Sequence, residues 1–182
     1  GPSKYLDRKD YPPGQHGQSR RRKATDYAMA LAEKQKMRYY YGLMEKQFRG
    51  VYQKAIRRRG VTGEIMLQIL ETRLDSVVFS LGFGYTRAQA RQMVTHGHVL
   101  VNDKRARTPS IALNENDAVE IKTVEKSRHL ADKNLEYSTS RIVPEWLELD
   151  KGAYKGTLKR MPTREDVEPI ANEQTIVEFY SR

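Results

Sequence analysis

The sequence predicts an α+β protein in which helices pack on a small antiparallel sheet. Apolar residues recur at spacings of three and four through residues 62–84, which is typical of a core helix. Residues 98–106 are rich in β-branched side chains before an Asn-Asp turn, and residues 116–122 alternate apolar and charged side chains. Helices followed by separate strands favour the α+β class.

Two helices are predicted before the core helix. Residues 26–41 predict the first, with Asp26 as its N-cap and Gly42 just after its end. Residues 45–59 predict the second, which has a basic last turn followed by Gly60. Positive charge is favourable at a helix C-terminus, and glycine readily takes the left-handed conformation that ends many helices.

A short polar helix is predicted between Thr86 and Gly97. Thr86 and Gln89 have the spacing of a capping box, and Gly97 is a natural helix end. The next residues, HVLVNDKRA, predict a strand that enters a tight turn at Asn102.

The C-terminal part is predicted to return mainly as strands. Residues 123–141 are polar and charged and indicate a helix or a linker. Residues 144–158 and 173–180 indicate strands bounded by proline and glycine. Trp146 is expected to fill the core.

The charge of the chain is concentrated in its N-terminal third. Residues 1–60 hold 16 Lys or Arg against 5 Asp or Glu, residues 61–135 hold 10 against 9, and residues 136–182 hold 7 against 9. A net charge of +10 indicates an acidic partner, by default nucleic acid. The chain lacks cysteine and any stretch of about 20 apolar residues, so we expect no metal, no cofactor and no membrane partner.

The polar side of the short helix contains arginines and an amide but no acid. At about 100° per residue, Arg87, Arg91 and Gln92 lie opposite Met93 and Val94. A solvated helix face also explains such a polar side. A solvated face usually mixes both signs of charge, so the lack of acids favours contact with phosphates.

Three further runs allow more than one interpretation. The basic run at residues 20–23 would order on a structured RNA or serve only as a solubilising tag. The arginines at residues 57–59 can interact with the helix dipole and with phosphates at the same time. The tyrosines at residues 39–41 could stack on bases, but consecutive helical residues point in different directions, so burial is the better interpretation.

The run RLDSVVFSLGFGYTRAQARQMVTHGHVLVNDKRARTPS resembles the RNA-binding module named after small-subunit ribosomal protein four. The resemblance lies in Arg-Leu-Asp, Thr-Arg-x-x-Ala-Arg-Gln, His-Gly-His and Val-x-Val-Asn. The module also occurs in pseudouridine synthases, a tyrosyl-tRNA synthetase and ribosome-rescue factors. The module by itself therefore implies structured RNA as a partner and no particular protein.

The flanking segments resemble the bacterial and organellar family of that ribosomal protein, over residues 11–182. They read PPGQHG, DYAMALAEKQKMRYYYGLMEKQFR and NEQTIVEFYSR. In this family the small α+β module is inserted into a helical domain. The resemblance implies a basic extended arm at residues 1–25, a helical domain at residues 26–72 and 142–182, and the module at residues 73–141. Some family members carry zinc-binding cysteines in an N-terminal extension, but this chain has no cysteine.

The resemblance implies a structural component of the small ribosomal subunit and not an enzyme. Family members bind ribosomal RNA at a helix junction of the 5′ domain, nucleate subunit assembly and contribute to decoding fidelity. Ribosomal protein five of the small subunit, and mRNA where it enters the subunit, are further implied partners on a cytoplasmic or organellar ribosome. The alternatives are an RNA-modifying enzyme or a rescue factor with the same module, but the remaining residues are too few for a catalytic domain of usual size.

Candidate RNA-binding residues come from the basic segments, the family's N-terminal signature and the module. No catalytic residue is expected, because the histidines have no matched carboxylate pair beside them. The basic segments contribute Arg20, Arg21, Arg22, Lys23, Arg49, Arg57, Arg58 and Arg59, and the signature contributes Pro13, Gly14, His16 and Gly17. The residues that match the RNA-facing pattern of the module are Arg73, Arg87, Gln89, Arg91, Gln92, His96, His98, Asn102, Lys104 and Arg105.

Overall fold

The structure, a computed structural model, describes residues 8–9, 11, 14–18, 24–138 and 141–181. Seven helices and five strands lie in this part of the chain, which confirms the predicted α+β class. The helices are α1 (Asp26–Tyr40), α2 (Glu45–Ile56), α3 (Thr62–Glu71), α4 (Leu74–Ser80), α5 (Arg87–Thr95), α6 (Glu125–Tyr137) and α7 (Glu173–Ser181). The strands are β1 (Val99–Val101), β2 (Lys104–Ala106), β3 (Ala118–Ile121), β4 (Leu147–Asp150) and β5 (Lys155–Leu158).

The strands form one sheet in the order β2-β1-β3-β5-β4, and every neighbouring pair is antiparallel. β1 is the predicted strand, and the predicted turn lies at Asn102 and Asp103, whose φ angles are 48° and 64°. The chain then forms β2, a further strand that the sequence analysis did not separate, and β2 pairs with β1 in a hairpin. Positive φ at both central residues gives a turn whose twist matches that of the strands. Val119 and Ile121 on β3 are buried, as the alternating pattern predicts.

Two apolar cores stabilise the fold. The first, here the sheet core, lies between the sheet and helices α4, α5 and α6, and it contains Trp146 at 1% exposure, as predicted. The second, the helical core, lies among α1, α2, α3 and α7 and contains Phe48 and Ile176. Because α7 packs against α1 and α3, the chain leaves the helical core, builds the sheet core and then returns.

The single core helix predicted at residues 62–84 is in fact two helices, α3 and α4. Arg73 between them is extended (φ −65°, ψ 141°) and pairs with Ala112 in an isolated bridge. The N–H of Leu74 donates to the carbonyl of Ile111 at 2.9 Å, so this backbone bonds to another segment instead of continuing the helix. The apolar spacing runs across the break because α3 faces the helical core and α4 faces the sheet core.

The C-terminal tail is divided between the two cores: β4 and β5 join the sheet, and α7 packs in the helical core. β5 pairs with β3, where Lys155 lies opposite Glu120, and so extends the sheet of the module. Leu147 and Leu158 are buried in the sheet core. The pairing satisfies backbone groups along an edge of β3 that would otherwise stay open.

Residues 173–180 form helix α7 and not the predicted strand. Asn172 Oδ1 accepts a hydrogen bond from the N–H of Thr175 at 3.1 Å and caps the first turn. Ile176 and Tyr180 are four residues apart, which places both on the helix face that packs in the helical core. The β-branched residues of this segment favoured a strand, but tertiary packing overrides that propensity.

The ends of two helices differ slightly from the predicted ends. α1 begins at Asp26, but its N-cap is Thr25, whose Oγ1 accepts from the N–H of Ala28 at 3.3 Å. α2 ends at Ile56, so the arginines at residues 57–59 lie just beyond it. Of the two possibilities for residues 123–141, the structure shows a helix, α6. Among the helices that the structure describes, none is long and apolar enough to span a membrane.

Burial is the main outcome for the tyrosine run at the end of α1. Tyr41 is 4% exposed and Tyr40 is half-buried, whereas Tyr39 is 70% exposed. The hydroxyl of Tyr41 donates to Glu71 Oε1 at 2.6 Å. Burial and the charge of Glu71 raise the pKa of Tyr41 well above its ordinary value, so it stays a neutral donor.

Candidate nucleic-acid interface

The two ends of α5 fix the position of this helix on the module. Thr86 Oγ1 accepts from the N–H of Gln89 at 3.1 Å, and Gln89 Oε1 accepts from the N–H of Tyr85 at 2.8 Å. The predicted cap is therefore present, although its return bond reaches Tyr85 and not Thr86. Gly97 has a φ of 74°, a left-handed conformation that other residues rarely adopt, and the guanidinium of Arg105 lies against it. Glycine thus lets the chain turn from the end of α5 into β1 without strain.

Arg87 is bound inside the protein, and its geometry does not support the predicted contact with phosphates. Its Nη2 donates to Glu71 Oε1 at 3.4 Å, and its Nη1 donates to Ser76 Oγ at 3.1 Å. The guanidinium carbon lies 4.3 Å from the ring centre of Tyr40 and 4.6 Å from that of Phe79. With 14% of its side chain exposed, Arg87 joins the helical core to the module.

Asp75 holds two more arginines of the predicted interface. Arg73 donates through Nε and Nη2 to the two carboxylate oxygens at 2.9 and 2.7 Å, and both side chains are buried. Arg91 Nη1 donates to Asp75 Oδ2 at 3.2 Å, but 40% of its side chain is exposed. The side of α5 that lacks acids in the sequence therefore meets acids of α3 and α4. Arg73 is a structural residue, and Arg91 keeps N–H groups within reach of a phosphate.

Two predicted amide residues also form bonds within the module. Gln89 Nε2 donates to Asn134 Oδ1 at 3.0 Å and joins α5 to α6. Asn102 Nδ2 donates to Asp117 Oδ1 at 2.8 Å and holds the hairpin turn against β3. Both amides thus have partners inside the module, and their contact with RNA remains a prediction.

An exposed basic surface remains at the end of α5 and along β2. We define this surface, the hairpin patch, by its exposed residues Gln92, His96, Lys104, Arg105 and Arg107. Arg105 Nη2 donates to the carbonyl oxygen of His96 at 3.4 Å, which joins the strand to the helix end. None of the three Lys and Arg side chains of the patch forms an ion pair with a described residue. Their charge is therefore available to an anionic partner.

His98 lies beside the hairpin patch in a positively charged environment. Its Nδ1 is 2.9 Å from Ser127 Oγ, and its ring centre is 6.2 Å from that of His96. Burial lowers the pKa of His98, and the positive charges of His96, Arg105 and Lys122 lower it further. The ring is therefore neutral at neutral pH, and it would be charged more easily next to a phosphate.

The pKa of His98 predicts that folding stability falls as the pH drops below about 6.5. In that range the unfolded chain takes up a proton at this histidine while the folded chain does not, so acid favours unfolding. The stability that neutral His98 contributes is fully present above the pKa that this histidine has in the unfolded chain. It is lost as the pH falls to the lower pKa that His98 has in the folded chain. Chemical denaturation at a series of pH values measures it, and the variant His98→Asn should show a flatter profile. Identical profiles for the two proteins would contradict the shift.

A second exposed basic surface lies on α2 and just beyond its end. We define the α2 patch as Arg49, Lys54, Arg57, Arg58 and Arg59, all exposed. None of these side chains forms an ion pair with another described residue. The patch retains the predicted capacity of this segment to bind phosphates.

The N-terminal arm is described only in part. The N–H of Gly17 donates to the carbonyl of Gly14 at 3.2 Å and forms a turn, and the side chain of His16 is exposed. Pro13, Arg20, Arg21, Arg22 and Lys23 lie outside the described residues, so their predicted contacts with RNA remain predictions.

The structure adds two residues that the sequence did not single out. Arg107 extends the hairpin patch, and its signal was the continuing basic run KRAR. Lys122 lies near His98, whose carbonyl accepts from its N–H at 2.8 Å, and only the strand pairing reveals this. Within the described residues, no cluster of three or more His, Asp or Glu side chains is placed to hold a metal ion.

Comparison with known proteins identifies the module and its flank. Residues 2–71 match the family model of the ribosomal protein S4/S9 N-terminal domain, and residues 72–119 match that of the S4 domain. The chain is thus an S4-domain protein with a ribosomal N-terminal domain.

Relatives that match this chain along nearly its full length identify its family. The small ribosomal subunit protein uS4 of Opitutus terrae is 51% identical over 100% of this chain and 90% of its own length. The protein of the same name from Chlorobaculum tepidum is 50% identical (98% and 88% covered), and that from Thermus thermophilus is 49% identical (97% and 85% covered). The chain belongs to the uS4 family of small-subunit ribosomal proteins. These relatives are named as ribosomal proteins and not as enzymes, as predicted.

Proposed function

We propose that this protein binds small-subunit ribosomal RNA directly, at a junction of helices in the 5′ domain. The observation that carries the proposal is the hairpin patch, in which Lys104, Arg105 and Arg107 are exposed and form no ion pair with a described residue. Membership of the uS4 family supports ribosomal RNA as the partner. The α2 patch supplies a second set of cations, which lies on the helical core.

The chemistry of these patches suits folded RNA. A double-helical RNA hides its base edges in a deep and narrow groove, so proteins recognise its shape through phosphates and 2′-hydroxyl groups. Arginine can contact a phosphate through two N–H groups in a fixed geometry, which sets the register on the RNA. Patches on two joined cores would hold adjacent RNA helices at a defined angle.

The finer roles follow from the family resemblance and are part of the proposal. They are nucleation of subunit assembly, a contribution to decoding fidelity, contact with ribosomal protein five of the small subunit, and contact with mRNA where it enters the subunit. An RNA-modifying enzyme or a rescue factor with the same module is disfavoured. The relatives named uS4 match essentially the whole chain, not the module alone.

Binding of the full chain to a transcript of the small-subunit 5′ domain tests the proposal. We expect tighter binding to this transcript than to tRNA or to a simple duplex of equal length, at one salt concentration. Chemical footprinting of the backbone should show protections that converge on one helix junction. Equal affinity for the three RNAs, or protections scattered along the transcript, would overturn the proposal.

A further inference from the structure

A cleft of about 490 Å³ lies between the module and the end of α1, away from the hairpin patch residues. Its walls come from the aromatic rings of Phe79, Tyr85 and Tyr137, and from the guanidinium groups of Arg87 and Arg141. The described side chains that line it include no carboxylate. An adjoining cavity, which shares Arg87 and Arg141 with the cleft, is lined by Glu71, Asp166 and Glu168. The flat rings and the guanidinium of Arg141 in the cleft itself are suited to a ligand with both a planar ring and a negative charge.

Arg141 gives this cleft a positive charge, and its side chain forms no ion pair with a described residue. Its guanidinium donates to the carbonyls of Phe79 at 3.0 Å, Gly84 at 3.3 Å and Tyr85 at 3.0 Å, and it lies 3.9 Å from the ring centre of Phe79. Burial and the nearby charge of Arg87 lower the pKa of Arg141. Because Arg87 is paired with Glu71, Arg141 is the guanidinium of the cleft that remains for an anion.

Two tyrosines present flat surfaces at the mouth of the cleft. Tyr85 is 43% exposed and Tyr137 is 61% exposed, although both are large aromatic residues. Their ring centres are 5.8 Å apart and their planes meet at 60° in an edge-to-face contact, and both rings stay partly exposed. Such rings are the platforms on which proteins stack unpaired bases.

We propose that this cleft binds one unpaired nucleotide of RNA. Its base would stack on Tyr85 or Tyr137, and its phosphate would lie against Arg141. This inference rests on the proposed function, because it assumes that RNA reaches this side of the module. A base paired within a duplex offers no free face, so the cleft selects an unpaired position near the junction.

The double variant Tyr85→Ala/Tyr137→Ala tests the proposal in the full chain. Binding to the 5′-domain transcript should weaken about tenfold, because a stacked base is lost. The slope of log affinity against log salt should stay unchanged, because no phosphate contact is removed. Tyr27→Ala is the matched control, since Tyr27 is 58% exposed but stands near Asp26 and Phe179 at the far end of α1. Unchanged melting temperatures show that each variant is folded.

Two further measurements separate the outcomes. Ultraviolet crosslinking of the wild-type complex should join a nucleotide to Tyr85 or Tyr137. Normal affinity of the double variant without such a crosslink overturns the cleft proposal and leaves ribosomal RNA binding intact. If the wild-type chain does not bind the transcript, the proposed function itself fails. Adenosine monophosphate at millimolar concentration should not compete, and competition would assign the cleft to a free nucleotide instead.

Discussion

Replacing Arg87 by alanine is expected to destabilise the fold by about 3 kcal/mol, since the loss of one partner leaves a buried charge unpaired. That charge is the carboxylate of Glu71, whose residue is 7% exposed and which would keep only the hydroxyl of Tyr41. The contacts with the rings of Tyr40 and Phe79 are lost as well. For a chain of this size the melting temperature should fall by about 6–12 °C, which thermal unfolding measures.

Arg91→Ala is the matched control, because Arg91 lies one turn further along the same helix. Its side chain is 40% exposed, and its partner Asp75 keeps the two bonds from Arg73. We expect a loss below about 1 kcal/mol. Equal effects of the two variants would show that Arg87 does not join the two cores. Any weaker RNA binding by Arg87→Ala must therefore be corrected for unfolded protein before it is read as a lost contact.

Removing the three cations of the hairpin patch should cause the largest loss of RNA affinity. In the variant Lys104→Ala/Arg105→Ala/Arg107→Ala, the slope of log affinity against log salt should become shallower by about 2–3, since each lost phosphate contact contributes about 0.7–0.9. That change corresponds to roughly a hundredfold weaker binding at about 0.15 M salt. Filter binding to the 5′-domain transcript over a salt series gives both values.

A control variant at the opposite edge of the sheet distinguishes the effect of contacts at the hairpin patch from the effect of the net charge of the protein. Lys151→Ala/Lys155→Ala/Lys159→Ala also removes three exposed cations, but around β4 and β5. We expect a much smaller change in slope, because long-range charge is screened over about 10 Å. Equal losses for the two triple variants would mean that net charge, and not the hairpin patch, governs binding.

Local patterns sufficed for much of the module. The β-branched run before Asn102, the Asn-Asp turn and the alternation around Val119 predict β1, its turn and β3 correctly, because strand burial and turn conformation depend on neighbouring residues. The cap of α5 at Thr86 was predicted for the same reason. The break between α3 and α4 at Arg73 was not predicted, because it depends on a bridge to residue 112, which lies far along the chain.

For the candidate interface, too, some features follow from residues close in the chain and others only from contacts between distant segments. The family resemblance placed Lys104, Arg105 and His96 on an RNA-facing surface, and the structure leaves all three exposed. The local sequence suggested that α5 had no acids near its arginines, which is true of the helix but not of its surroundings. Glu71 and Asp75 reach those arginines from α3 and α4. Pairing of charges across helices leaves no periodic signal in the sequence.

The sequence by itself determined the α+β class, the turn at Asn102, the concentration of charge and the family resemblance, because each depends on composition or on residues close in the chain. Only the tertiary structure decided which cations are exposed, where the tail divides, and that Arg87 and Arg73 pair with carboxylates inside the fold. It also brought Tyr85, Tyr137 and Arg141 into one cleft. The physical reason is that burial and ion pairing depend on distances between distant segments, which are set when the two cores pack.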